Sequence, residues 1–357
     1  MKKPKILSFL SFLSLISLFG IHSFNNEPSP IEVPEQEYSI QDGDFEVLFE
    51  NQQEYGINIT IMGEGYTRED IESGLYKQAL SSDIEKLFTV YPLSDYQKHF
   101  NVYLVYAISK DEGISIFGEE DKNTALSVSF SPDANPPMSS FQWSPWKVRQ
   151  YAKSGTLISK FNHLSFVSMK NSDGLPLGGV ASISRALQGQ ALYPTGRIGI
   201  MAHEFGHAFA SLADEYRVED QDQFTPEIIQ AYRRNTWLFP NVDTLQEYEQ
   251  VKWNKYRFIQ GYEEVGNFEG AYYVDTLIWR PEENSIMVSS SANHFNAPSR
   301  EAIIFRIAQL ARFYFDFDAF IERDRQEKNR MNRALSMGVD FSCGGFHPES
   351  KISQEFH

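Results

Sequence analysis

Cysteine is almost missing from this sequence. One residue of 357, Cys343, is a cysteine. No intramolecular disulfide can form, so the fold must rest on burial and hydrogen bonding. Cys343 is read as inert. An excess of positive charge is missing too: 32 Lys and Arg face 48 Asp and Glu, for a net charge of −16. A surface of that sign excludes a nucleic-acid partner, because phosphate binding needs clustered cations. Internal repeats and low-complexity tracts are lacking. Long apolar runs are scarce, and the one clear case, Ile6–Phe19, falls short of the roughly 20 residues that span a bilayer. What the chain does have is 41% hydrophobic and 14% aromatic residues, enough for a sizeable globular core.

The apolar run has a specific context. Lys2, Lys3 and Lys5 precede it and make a basic start, the order of an export signal. Residues 1–24 are therefore expected to be a signal peptide, and the protein to be exported: periplasmic, cell-surface or secreted. The competing reading is an uncleaved membrane anchor, and no other membrane contact is expected. Residues 25–44, with Pro28, Pro30 and Pro34, read as a linker. One domain is expected over residues 45–340, followed by a tail over 341–357.

Within that domain Ile57–Met62 alternates and is β-branched, so it predicts a strand. A helix over Arg68–Thr89 follows from the spacing of Ile71, Leu75, Leu80, Ile84 and Leu87. Phe100–Ile108 and Leu164–Met169 read as further strands, and Gly178–Ser184 as a short edge strand. Asp111–Pro137 reads as a long surface excursion, and Trp146–Ile158, Pro226–Arg234 and Arg300–Phe315 as helices. This mixture predicts an α/β (α+β) layer with its site at the sheet's rim.

The chemistry concentrates in Ile198–Ala210. His203 and His207 are four residues apart, with Glu204 after the first. Four helical residues advance about 40° past a full turn, so both imidazoles share a face and can reach one metal ion. Glu204 advances about 100° from His203, which stands it beside that ion, where a base for an activated water belongs. A catalytic zinc takes three protein ligands and keeps one position open. Asp214 is the first choice for the third. On a continuous helix it would lie about 16 Å along the axis from His203, so the helix must end near residues 208–212 and fold back. No glycine lies between His207 and Asp214 to ease that turn. Glu215 and His294 are the other candidate ligands, whereas His99 and His163 read as structural. Tyr216, Tyr272 and Tyr273 could each donate to a developing oxyanion, and spacing does not choose among them.

The string HEFGHAFASLADEY, His203–Tyr216, resembles the IgA-peptidase family of bacterial zinc metallopeptidases, within the broader metzincin-like group. Similar landmarks are GEGYTRED after the first strand, FNVY at Phe100–Tyr103, FEGAYY at Phe268–Tyr273, RPEENSIM at Arg280–Met287 and FNAPSREAI at Phe295–Ile303. The resemblance implies a metzincin-like domain, a twisted mixed sheet whose edge strand lies over the active-site helix. It implies a zinc endopeptidase acting on protein or peptide, with His203 and His207 as ligands, Glu204 as acid/base and Met287 in a methionine turn beneath the site. Two departures stand out. Ala210 and Ser211 replace the glycine that follows the motif, and Ser285, Asn296 and Ser299 stand where relatives carry cysteines. Two other readings use the same residues: a binding or adhesion module with a structural zinc, and a zinc amidase acting on a non-protein substrate.

Overall fold

The computed structural model describes residues 39–51, 55–132, 140–154, 163–170, 179–182 and 189–336, all but Ser39 within the compact unit Ile40–His357. The expected signal peptide, residues 25–38 of the linker, Cys343 and the tail lie outside the described residues.

Six strands form the main sheet: β1 (Phe45–Phe49), β2 (Ile57–Glu64), β3 (Phe100–Val105), β7 (His163–Met169), β8 (Val180–Ser182) and β9 (Gln190–Pro194), in the order β1-β3-β2-β7-β9-β8. The pairs β2–β3, β2–β7 and β7–β9 are parallel. The flanking pairs β1–β3 and β8–β9 are antiparallel. The sheet is therefore mixed, as expected, and β8 is an edge strand. β9 is missing from the sequence reading. All five of its residues are buried, so it lacks the alternation that marks a half-exposed strand.

The helix expected over Arg68–Thr89 is two helices, α1 (Arg68–Glu72) and α2 (Leu75–Leu87). Gly74 divides them at φ 79°, a left-handed conformation that ends one helix and starts the next. A short α3 (Leu93–Tyr96) precedes β3.

The stretch expected as a surface excursion turns inward. It forms β4 (Ser115–Ile116) and β5 (Ser129–Phe130), which join β6 (Phe141–Gln142) in a small sheet. Its Ile114, Leu126 and Val128 pack with Met62, Val105 and Val167. A buried carboxylate holds it there. Glu64 accepts hydrogen bonds from the Thr124 hydroxyl at 2.6 Å and from the N–H groups of Leu126 and Val128 at 2.8 and 2.7 Å. Apolar spacing cannot reveal an anchor made by one acid and distant amides. α4 (Pro145–Ser154) covers that side.

The organising helix is α5 (Ile198–Ala210). It is apolar nearly all round, which suits a helix buried on several sides. Met201, Ala202, Phe205 and Phe209 are in the main core, where Phe205 stacks on Phe166 of β7 at 6.4 Å. Burial of one such side chain contributes about 1.5–3 kcal/mol. The helix packs on β9 and β8 and, elsewhere on its surface, against α7 (Ala297–Ala311). A Cβ placed on Gly206 would meet the Met287 sulfur at 2.9 Å. Glycine there admits the methionine against the helix.

Between α5 and α7 the chain forms α6 (Pro226–Asn235) and a hairpin of β10 (Phe268–Ala271) and β11 (Val274–Arg280). α8 (Phe317–Ser336) follows α7 and is tied to it by the buried Arg300–Asp324 pair. The sequence reading has neither the hairpin nor α8, because much of α8 is polar and the hairpin turns on non-glycine residues.

Candidate metal centre

Helical spacing sets His203 and His207 on one face, their ring centroids 4.6 Å apart. The rings are oriented by backbone carbonyls. His203 Nδ1 lies 2.8 Å from Ile286 O, and His207 Nδ1 lies 2.7 Å from Leu212 O. Each Nδ1–H donates to its carbonyl, which assigns the tautomer and leaves each Nε2 with a lone pair.

The backbone then reverses. α5 ends at Ala210, and Ser211 takes φ 54°, ψ 41°, the left-handed cap that a glycine would ordinarily fill. Its N–H donates to the Gly206 and His207 carbonyls, and the Leu212 N–H donates to Gly206 at 3.1 Å. Asn241, fully buried, clamps the next residue in both directions. Its Oδ1 accepts from Ala213 N–H at 2.7 Å, and its Nδ2 donates to Ala213 O at 2.8 Å. Asp214 is thereby returned to the helix. Its Oδ1 lies 2.8 Å from His203 Nε2 and 3.1 Å from His207 Nε2.

Three ligand atoms, one from each of His203, His207 and Asp214, lie within 4.8 Å of one another, the one such group among the described residues. With both Nδ1 atoms protonated, two imidazole lone pairs and a carboxylate oxygen converge with no hydrogen among them. Such a set calls for a proton or a cation, and its N/N/O composition fits a divalent metal such as zinc. The electrostatics agree. Burial opposes charge on both imidazoles, but Asp214 outweighs it and raises their pKa values. Burial likewise opposes charge on Asp214, yet the two imidazoles hold its carboxyl well below the usual range.

Glu204 stands beside this group. It is 4% exposed, and its Oε2 has no hydrogen-bond partner among the described residues. Burial pushes its pKa up to about 8, with His203 opposing and Asp214 reinforcing. A Cβ on Gly179, just before β8, would come within 2.8 Å of the Glu204 Cγ and Oε1. Only a glycine leaves the carboxylate that room.

The other candidates fall elsewhere. Glu215 is fully buried, but its oxygens accept from Ser285 at 2.6 Å, from Asn296 at 2.6 and 2.8 Å and from Asn241 at 2.8 Å. It ties the turn to the methionine segment and to α7. Ser285 and Asn296, noted above as replacements for cysteine, thus form a polar clamp. Asn296 also caps α7 by accepting from Ser299 N–H at 2.9 Å. His294 pairs with Glu282 at 3.3 Å, outside the cluster. His99 stacks on Phe313 at 5.0 Å. Met287 is fully buried, and its carbonyl accepts from Glu215 N–H at 2.8 Å. Of the three tyrosines, Tyr273 reaches the cluster directly, donating its O–H to Asp214 Oδ2.

Residues 49–134 and 256–307 match the model of the family described as IgA Peptidase M64. Over these stretches the chain is similar to this family. The matched stretches cover less than half of the chain. They hold β2, α2, β3, the hairpin, Met287 and most of α7, and leave out the helix that carries His203, Glu204 and His207. The family is one of peptidases, whose substrates are proteins or peptides. No curated protein matches the chain. Among the described residues no helix is long and apolar enough to cross a membrane.

Proposed function

We propose that this protein is a member of the IgA peptidase M64 family and acts as an exported, zinc-dependent endopeptidase. The observation that carries the reading is the convergence of His203, His207 and Asp214 beside the buried Glu204 carboxylate, whose Oε2 has no hydrogen-bond partner among the described residues. Export is proposed from the basic and apolar amino terminus.

His203 Nε2, His207 Nε2 and one Asp214 oxygen would hold the ion. A zinc ion bound there supplies Lewis acidity, lowering the pKa of water toward about 7 and polarising the scissile carbonyl. Glu204 takes a proton from the attacking water and carries it to the departing amine, as a buried carboxylate one residue from a ligand is placed to do. The edge strand β8, which packs on α5, receives the substrate backbone in extended form by strand addition. A cavity of about 720 Å³ beside Tyr216, lined by Arg217, Asp275, Arg280 and Ser289 among others, leaves room for a substrate side chain.

The test is metal analysis of the full chain with digestion of a mixed peptide pool, with and without chelator. The parent should contain zinc and cleave, and chelation should stop cleavage. Glu204→Gln should keep zinc and lose turnover by at least about a hundredfold. Zinc without cleavage in the parent would favour a binding module instead, and cleavage by Glu204→Gln at the parent rate would remove the mechanism.

A further inference from the structure

The tip of the β10–β11 hairpin is built in an unfavourable backbone conformation. Tyr272 has φ 52° and Tyr273 φ 75°, two consecutive bulky residues in the left-handed region. Such conformations persist where surrounding structure imposes them, and they gather at functional sites. Here the surroundings are the turn that carries Asp214. The Tyr272 N–H donates to Asp214 O at 3.0 Å, the Tyr273 N–H to Tyr216 O at 3.0 Å, and the Val218 N–H to Tyr273 O at 3.2 Å. The hairpin tip is thus stitched onto residues 214–218, and its strained backbone delivers the Tyr273 hydroxyl to Asp214 Oδ2.

The two oxygens of Asp214 have different partners. Oδ1 faces both imidazole Nε2 atoms, and Oδ2 accepts from Tyr273. Both groups are buried, Asp214 at 6% and Tyr273 at 8% exposure, so water competes little for that bond.

Building on the metal reading above, we infer that Tyr273 is a positioning residue: its hydroxyl occupies Asp214 Oδ2 and so presents the carboxylate to the metal through Oδ1 alone. A carboxylate free to bind through both oxygens would take up the position that a catalytic site keeps open. Tyr273 has no hydrogen bond to either imidazole among the described residues. It acts through Asp214.

The experiment compares Tyr273→Phe with the parent and with Tyr272→Phe in the full chain. The first substitution removes one oxygen atom and keeps the ring among Tyr216, Tyr232 and Tyr272. The second removes the hydroxyl of the adjacent ring, which packs on Tyr232 and Phe239. Zinc affinity is read by competition with a chromophoric chelator, and coordination by the visible absorption of the cobalt(II)-substituted protein. Tyr273→Phe should bind zinc about 10–100-fold more weakly, the usual cost of losing a partner that orients a ligand. Its cobalt band should weaken as the freed oxygen raises the coordination number, while its far-ultraviolet circular dichroism stays that of the parent. Tyr272→Phe should match the parent in both readouts. Affinity within about twofold of the parent together with an unchanged cobalt spectrum would overturn the assignment. An equal loss in Tyr272→Phe would also overturn it, by tracing the effect to the hairpin instead of the hydroxyl. A parent with no zinc affinity would overturn the metal reading, and this inference with it.

Discussion

The Arg300–Asp324 pair allows a perturbation whose size can be worked from the structure. Arg300, on α7, is 2% exposed, and Asp324, on α8, is fully buried. The guanidinium donates Nε to Oδ1 at 2.6 Å and Nη2 to Oδ2 at 2.7 Å, and Nη1 donates to the Phe295 carbonyl. Tyr262 adds its hydroxyl to Oδ2 at 2.8 Å. Replacing Arg300 with Met keeps most of the apolar stem but leaves Asp324 buried with Tyr262 as its one remaining partner in this cluster. Removing one member of such a pair costs about 3–5 kcal/mol. An unfolding entropy of about 2.1 cal/mol/K per residue over roughly 300 residues gives about 0.6 kcal/mol/K, so the thermal midpoint should fall by about 5–8 °C. The double variant Arg300→Met, Asp324→Leu removes both charges and should recover most of that loss, because an apolar pair of similar volume often equals a buried ion pair. The assay is chemical and thermal unfolding of the four proteins of the cycle. A single-variant cost below about 1 kcal/mol, or a double variant as unstable as the sum of the two singles, would refute the reasoning.

Two further outcomes are expected. Ser211 carries the left-handed cap of α5, a conformation that disfavours residues with a Cβ by about 1–2 kcal/mol. Ser211→Gly should therefore raise stability by about 0.5–1 kcal/mol in urea unfolding, and a loss would show that the serine side chain has a role of its own. The second concerns Asp70, which burial pushes up but which Lys170, at 2.8 Å from both oxygens, and the Thr67 N–H hold below the usual carboxylate pKa. A depressed folded pKa contributes stability that is present above the unfolded value of about 3.9 and is lost as pH falls through the folded one. Asp70→Asn should accordingly be less stable than the parent at neutral pH, and the gap should close below about pH 4. A gap that stays constant on acidification would exclude the ion pair as its source.

His203, Glu204 and His207 were legible because their relation is local: helix geometry alone sets which side chains share a face. Asp214 was legible only as a candidate, since its approach depends on a reversal at Ser211 that no glycine announces. Glu215 and Asp214 are adjacent and chemically alike in sequence. What separates them is that Ser285, Asn296 and Asn241 converge on Glu215 from segments 26 to 81 residues away, whereas the imidazoles converge on Asp214. Tyr273 was one of three tyrosines with nothing to choose among them until the hairpin tip was seen docked on the turn.

The sequence by itself determined the strands β2, β3 and β7, from their apolar pattern, and the pair of imidazoles on one face of α5, from a four-residue spacing that helix geometry interprets. The tertiary structure decided the polar partnerships, because a buried carboxylate is defined by the donors that reach it, and those come from anywhere in the chain. It also decided the inward turn of residues 111–130 through Glu64. Periodicity reports which side of an element meets the core, and it carries no record of which distant amide or hydroxyl waits there.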